Sequence, residues 1–156
     1  MGSDNLEWAV GLRDEEETTR FAARLAPVLE AGDIVALSGS LGAGKTTLAR
    51  GIIRAIAGAD IEVPSPTFTL AQEYRELAPP VVHYDLYRLR DSGELAELGL
   101  GEADRDALVL VEWPERAEGL ISTEALSIEL AEEGRGRLAI VTGGARWFDR
   151  LGDRRL

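Results

Sequence analysis

The chain has 156 residues, a formal net charge of −11 and no cysteine, which is enough length for one domain with its own core and leaves no place for disulfides or thiolate metal sites. Its 28 acidic residues against 17 basic ones argue against direct, tight binding to DNA or RNA, which needs a basic surface. The longest apolar runs, Ile34 to Leu37 and Ala107 to Val111, fall far short of the roughly 20 residues that cross a bilayer. The opening Met1-Gly2-Ser3-Asp4-Asn5 carries neither a basic region nor an apolar segment, so no signal peptide is expected, and the lack of cysteine fits a reducing cytoplasm.

Glu7 to Val10 is a short strand candidate. Asp14 to Glu30 reads as a helix: Asp14 and Glu17 have capping-box spacing, Phe21, Ala22, Leu25, Val28 and Leu29 recur at helical period, and Pro27 is placed to kink or end it early. Asp33 to Ser38 is a buried-strand pattern, and a helix from about Lys45 to Ile56 follows, stopped by Gly58. Ile61 to Phe68, with Pro64 and Pro66, should be an ordered loop. Thr69 to Tyr74 and Val81 to Tyr87 read as strands around a Pro79-Pro80 turn, followed by a short helix from Ser92 to Leu98. Ala107 to Trp113 is the strongest strand pattern, ended by Pro114, with one or two helical turns in Glu115 to Ile121. Ala125 to Ala131 and Arg137 to Thr142 look like a hairpin around Gly134 and Gly136, and Arg146 to Leu151 like a terminal helix. The whole predicts one α/β domain over 1–156, a mixed, partly parallel sheet with helices on both faces.

Between the first buried strand and its helix lies Gly39-Ser40-Leu41-Gly42-Ala43-Gly44-Lys45-Thr46, followed by Thr47, which matches G-x-x-x-x-G-K-[ST] at every fixed position. Glycines let the backbone curl so that successive amides face a phosphate, and the helix adds its N-terminal amides and dipole. Lys45 would reach the β- and γ-phosphates of ATP, and the Thr46 hydroxyl would ligate Mg²⁺. Composition points the same way. Of the 17 basic residues, 16 are Arg, and Lys45 is the single lysine, as expected where a compact ammonium is needed.

Such a site needs a carboxylate at the end of a neighbouring buried strand. Leu108-Val109-Leu110-Val111 runs into Glu112, and Val81 to Tyr84 runs into Asp85. One acid would hold Mg²⁺, directly or through water, and the other would position the attacking water; spacing leaves open which does which. His83, the only histidine, reads as a structural residue beside a strand, and Tyr84 and Tyr87 as packing residues. Ser65-Pro66-Thr67 is a stiff segment whose hydroxyls could sense the γ-phosphate.

Four motifs in order, Gly39 to Thr47, Ser65-Pro66-Thr67-Phe68, His83-Tyr84-Asp85-Leu86-Tyr87-Arg88 and Val111-Glu112-Trp113-Pro114, resemble the TsaE (YjeE) family, the small ATPases of bacterial tRNA threonylcarbamoyladenosine biosynthesis. The resemblance implies slow, Mg²⁺-dependent ATP hydrolysis in support of a TsaB–TsaD pair, with tRNA met through those partners. It further implies that Thr46 and Glu112 hold Mg²⁺, that Asp85 assists hydrolysis, that Trp113 lies beside the site, and that Thr18 and Arg135 lie near the base of the nucleotide. Ser40 departs from the family, which often has Asp there.

A guanine-reading Asn-Lys-x-Asp motif is impossible, since Asn5 is the only asparagine and Lys45 the only lysine. The competing enzyme class is a small-molecule kinase of the shikimate or nucleotide kinase type, for which Asp104-Arg105-Asp106 and Gly143-Gly144-Ala145-Arg146 would supply lid features; both read as surface turns.

Overall fold

The computed structural model describes residues 5–40, 42–91, 93–100, 104–117 and 119–152. Seven strands form one sheet: β1 (Leu6–Leu12), β2 (Ile34–Gly39), β3 (Ala71–Tyr74), β4 (Val81–Asp85), β5 (Leu108–Glu112), β6 (Leu126–Glu133) and β7 (Gly136–Gly143). The helices are α1 (Glu15–Leu25), α2 (Lys45–Ala57), α3 (Gly93–Leu98) and α4 (Ala145–Leu151). Strand order is β1-β7-β6-β2-β5-β4-β3. β2, β4, β5 and β6 run parallel to their neighbours within this set, while β3, β7 and β1 are antiparallel additions at the two sides.

β4 and β5 are buried at every position, so their sequences are nearly continuous apolar runs rather than alternations. On one face Val35, Leu37, Leu108, Leu110, Ile128 and Val141 pack beneath α1, α2 and α4. On the other, Val82, Tyr84, Val109 and Val111 pack with Leu86, Leu89, Leu95 and Leu100 around α3. Helices therefore lie on both faces, as the sequence predicts.

Local signals set most boundaries. Asp14 caps α1, its Oδ1 accepting from the Glu17 amide at 2.9 Å, and the Glu17 carboxylate reaches back to the Arg13 amide at 3.0 Å, one residue earlier than in a standard box. The helix is shorter than its periodicity suggests: it stops at Leu25, and a 3₁₀ turn over Ala26–Val28 takes over because Pro27 has no amide to donate. Gly51 lets α1 and α2 approach closely, since a Cβ there would lie 2.8 Å from Ala22 Cβ. Gly58, at φ 67°, closes α2.

Two stretches read as surface turns are anchored instead. Asp104 is buried, taking hydrogen bonds from the Tyr84 hydroxyl and from Arg75. Arg146 lies in α4 and, with Arg150, pairs with the buried carboxylate of Asp33 just before β2. Among the described residues no helix is long and apolar enough to cross a membrane.

Candidate functional site

β2 ends at Gly39 and α2 begins at Lys45, and the turn between them needs backbone conformations that glycine alone adopts without strain. Gly39, Gly42 and Gly44 have φ of 137°, 80° and 101°. Gly39 is also sterically fixed, because a Cβ there would sit 2.5 Å from the Leu130 carbonyl oxygen of the neighbouring strand. Gly44 caps α2 without a side-chain hydrogen bond, so among the described residues its cap leaves the first-turn amides open to a ligand. That is the arrangement of an anion site at a helix start. Leu41, predicted with the loop, lies outside the described residues.

Lys45 folds back over the loop. Its ammonium donates to the Gly39 and Ser40 carbonyls at 2.9 and 2.8 Å and lies 4.2 Å from the centre of the Trp113 ring. Burial lowers its pKa from the usual lysine value, with the charges of Glu112, Glu115 and Asp85 acting in the opposite direction. Trp113 takes up this position with φ at 60°, a left-handed conformation unusual for a tryptophan, and its ring meets Tyr87 at 5.0 Å.

Parallel pairing brings the acids to the loop. Asp85 is opposite Glu112, and Glu112 opposite Leu37, so both carboxylates emerge at the C-terminal ends of adjacent strands, on the α2 side of the sheet. Glu112 is 1% exposed. Its Oε1 accepts from the Thr46 hydroxyl at 2.7 Å, and its Oε2 lies 2.7 Å from His83 Nε2. Asp85 accepts from the Tyr87 amide at 3.1 Å and from the Thr67 hydroxyl at 3.3 Å. Burial raises the Asp85 pKa above the ordinary aspartate value, and the Tyr87 amide partly offsets this. Ser65 and Thr67 share a hydrogen bond of 2.8 Å on the facing loop.

These groups line a cleft of about 350 Å³ that holds Gly42 to Thr47, Ser65, Thr67, Asp85, Glu112 and Trp113. A second cleft of about 320 Å³ lies across the loop, with Gly42, Ala43, Gly44 and Thr47 as the wall common to both. Thr18 and Arg135 line this second cleft. The structure thus places Lys45, Thr46, Asp85 and Glu112 on the first cleft and Thr18 and Arg135 on the second, with the loop between them.

One contributor was not foreseen. Arg137 of β7 lines the second cleft and holds the loop from that side, donating to the carbonyls of Ala43 at 3.1 Å and Gly42 at 3.0 Å. A basic residue on the strand face shared with Ala139 and Val141, both fully buried, was the available signal. The lid features sought for a small-molecule kinase are engaged elsewhere, Asp104 with Tyr84 and Arg75, and Arg146 with Asp33.

The partly parallel sheet, the glycine loop between β2 and α2, and the acids at the ends of neighbouring strands define a P-loop NTPase-like protein. A family model described as threonylcarbamoyl adenosine biosynthesis protein TsaE matches residues 12–139. The chain belongs to the TsaE family. It is 40% identical over 136 residues to the tRNA threonylcarbamoyladenosine biosynthesis protein TsaE of Rickettsia felis, covering 86% of this chain and 80% of that one. It is 41% identical over 138 residues to the protein of the same name from Mycobacterium tuberculosis, covering 81% and 80%. The crystal structure of Bacillus subtilis YdiB superposes with a TM-score of 0.75 at 28% identity, over 98% of this chain and 95% of that one.

Proposed function

We propose that this chain binds ATP with Mg²⁺ and hydrolyses it slowly, in support of tRNA N⁶-threonylcarbamoyladenosine modification, together with TsaD and TsaB partners in the cytoplasm. The role in that modification follows from family membership. The observation that carries the chemistry is the Thr46–Glu112 contact, 2.7 Å across the floor of the cleft and next to the Lys45 ammonium.

The residues fit the cation. Adjacent oxygen ligands of an octahedral Mg²⁺ lie about 3 Å apart, close to the Thr46–Glu112 separation. Among the described residues there is no group of three or more side chains able to cage a metal, which suits an ion that takes its remaining ligands from phosphates and water. Thr46 and Glu112 would hold Mg²⁺, which when bound neutralises charge building on the phosphates. The loop amides and the start of α2 hold the phosphate chain, and Lys45 turns from the loop carbonyls toward it. Asp85, kept in place by Tyr87 and Thr67, orients the attacking water. Thr18 and Arg135 border the space for the base. An acidic chain suits a protein that meets tRNA through partners instead of directly.

Titration calorimetry with ATP and Mg²⁺ tests the reading: wild type binds, and Lys45→Ala, which removes the only lysine, loses measurable binding. Unchanged affinity in the variant overturns it. ADP release that rises when TsaB and TsaD are added supports the assigned role, whereas ADP release that requires a small hydroxylated acceptor supports a kinase.

A further inference from the structure

Glu112 is gripped at both oxygens, and the two grips differ in kind. Oε1 meets Thr46 at the cleft floor, whereas Oε2 meets His83 inside the core at 2.7 Å. His83 lies in the middle of β4, next to Leu110, and is fully buried. Its Nδ1 has no hydrogen-bond partner among the described residues. A side chain chosen for packing would be aliphatic, as Val81 is two residues earlier on the same strand face. An imidazole with one idle nitrogen is costly to bury, so the nitrogen on Glu112 is the one in use. A carboxylate can only accept, so Nε2 carries the hydrogen.

The consequence concerns how many oxygens Glu112 can offer a cation. With Oε2 committed to the core, Oε1 alone faces the cleft. Mg²⁺ is content with one oxygen per carboxylate in a small octahedral shell. Ca²⁺ is larger, takes six to eight oxygens and readily uses both oxygens of one carboxylate. We propose that His83 is a positioning residue that keeps Glu112 a single-oxygen ligand and so sets the preference of the nucleotide site for Mg²⁺ over Ca²⁺. This rests on the ATP-binding reading above.

Two measurements on the full chain test it. The first needs no substitution. Because His83 is the only histidine, its ¹⁵N imidazole spectrum is a single set of signals. Nε2 is expected to be protonated and hydrogen-bonded with and without Mg²⁺ and a non-hydrolysable ATP analogue. An unprotonated Nε2, or a bond lost in the Mg²⁺ complex, overturns the proposal. The second is calorimetric affinity for the same analogue with Mg²⁺ and with Ca²⁺. Wild type is expected to favour Mg²⁺. His83→Leu should lower the Mg²⁺/Ca²⁺ affinity ratio by about tenfold or more, the scale seen for outer partners of metal ligands. His83→Gln, which retains a donor amide, should restore much of it. A folded His83→Leu protein with an unchanged ratio overturns the proposal but leaves ATP binding intact. A wild type that binds the analogue with neither cation overturns the nucleotide reading itself. If His83→Leu does not fold, the spectrum of the wild type decides.

Discussion

The two halves of the sheet solve different problems. β2, β5 and β4 are covered on both faces; β5 and β4 end in the acids of the cleft and β2 in the glycine loop. β6, β7 and β1 are covered by helices on one face only, and their other face, where Ala9, Ile140 and Glu129 stand side by side, is at least partly exposed to solvent. The covered half points chemical groups inward at the phosphate loop. The half-open hairpin side supports that loop through Arg137, from the second cleft. Comparing them shows that charged residues near one loop can serve it in different ways. Glu112 and Arg137 both hydrogen-bond the loop or the first turn of its helix, but Glu112 lines the first cleft and Arg137 the second, on the other side of the loop.

Glu112→Ala is the largest test of this division in the covered half. Turnover of ATP with Mg²⁺ should fall by about a hundredfold or more in a steady-state assay, the scale for losing one preorganised electrostatic group, while the fold persists. Activity that survives in a protein that melts would reverse the assignment and make Glu112 structural. Next in size is a pair of core truncations read by urea unfolding. Leu110→Ala, fully buried in β5, should cost about 2–5 kcal/mol, whereas Ile140→Ala on the open face should cost clearly less. Equal losses would mean that the two halves are not differently packed. Arg137→Ala should weaken nucleotide affinity by about tenfold, as expected when a charged donor to the loop is lost, with little change in maximal turnover. A fall in turnover at unchanged affinity would move Arg137 into the chemistry.

The smallest effect lies at the start of α1. The Arg13 side chain holds the Glu17 carboxyl below its ordinary 4.5, chiefly through their hydrogen bonds, with the Arg13 amide helping. A depressed carboxyl stabilises the fold above 4.5 and stops doing so as pH falls through the lower folded value. Glu17→Gln should therefore be slightly less stable than wild type at neutral pH, with the difference closing in acid. A gap in melting temperature that widens as pH falls would contradict this.

Most elements and the loop were legible because they depend on near neighbours in the chain. Asp14 with Glu17, Pro27, Gly58 and the run before Glu112 each act within a few residues. The carboxylates were found because a buried apolar strand that ends in an acid marks an edge of a parallel sheet. What stayed hidden depends on register between distant strands. His83 meets Glu112 only because β4 and β5 pair in one particular alignment, and Arg137 reaches the loop only because β7 joins β6, which flanks β2. Periodicity says which face a residue occupies and is silent about what stands opposite. The burial of Asp104 and the pairing of Asp33 stayed hidden for the same reason, since their arginine partners lie 29 residues before Asp104 and 113 and 117 after Asp33.

A solitary primary amine on a side chain makes this molecule unusually simple to label. Acylating reagents that ignore guanidinium groups have one internal target, the ammonium beneath the Trp113 indole. Occupancy of the cleft can then be followed as protection of a single peptide in mass spectrometry, with no engineered tag.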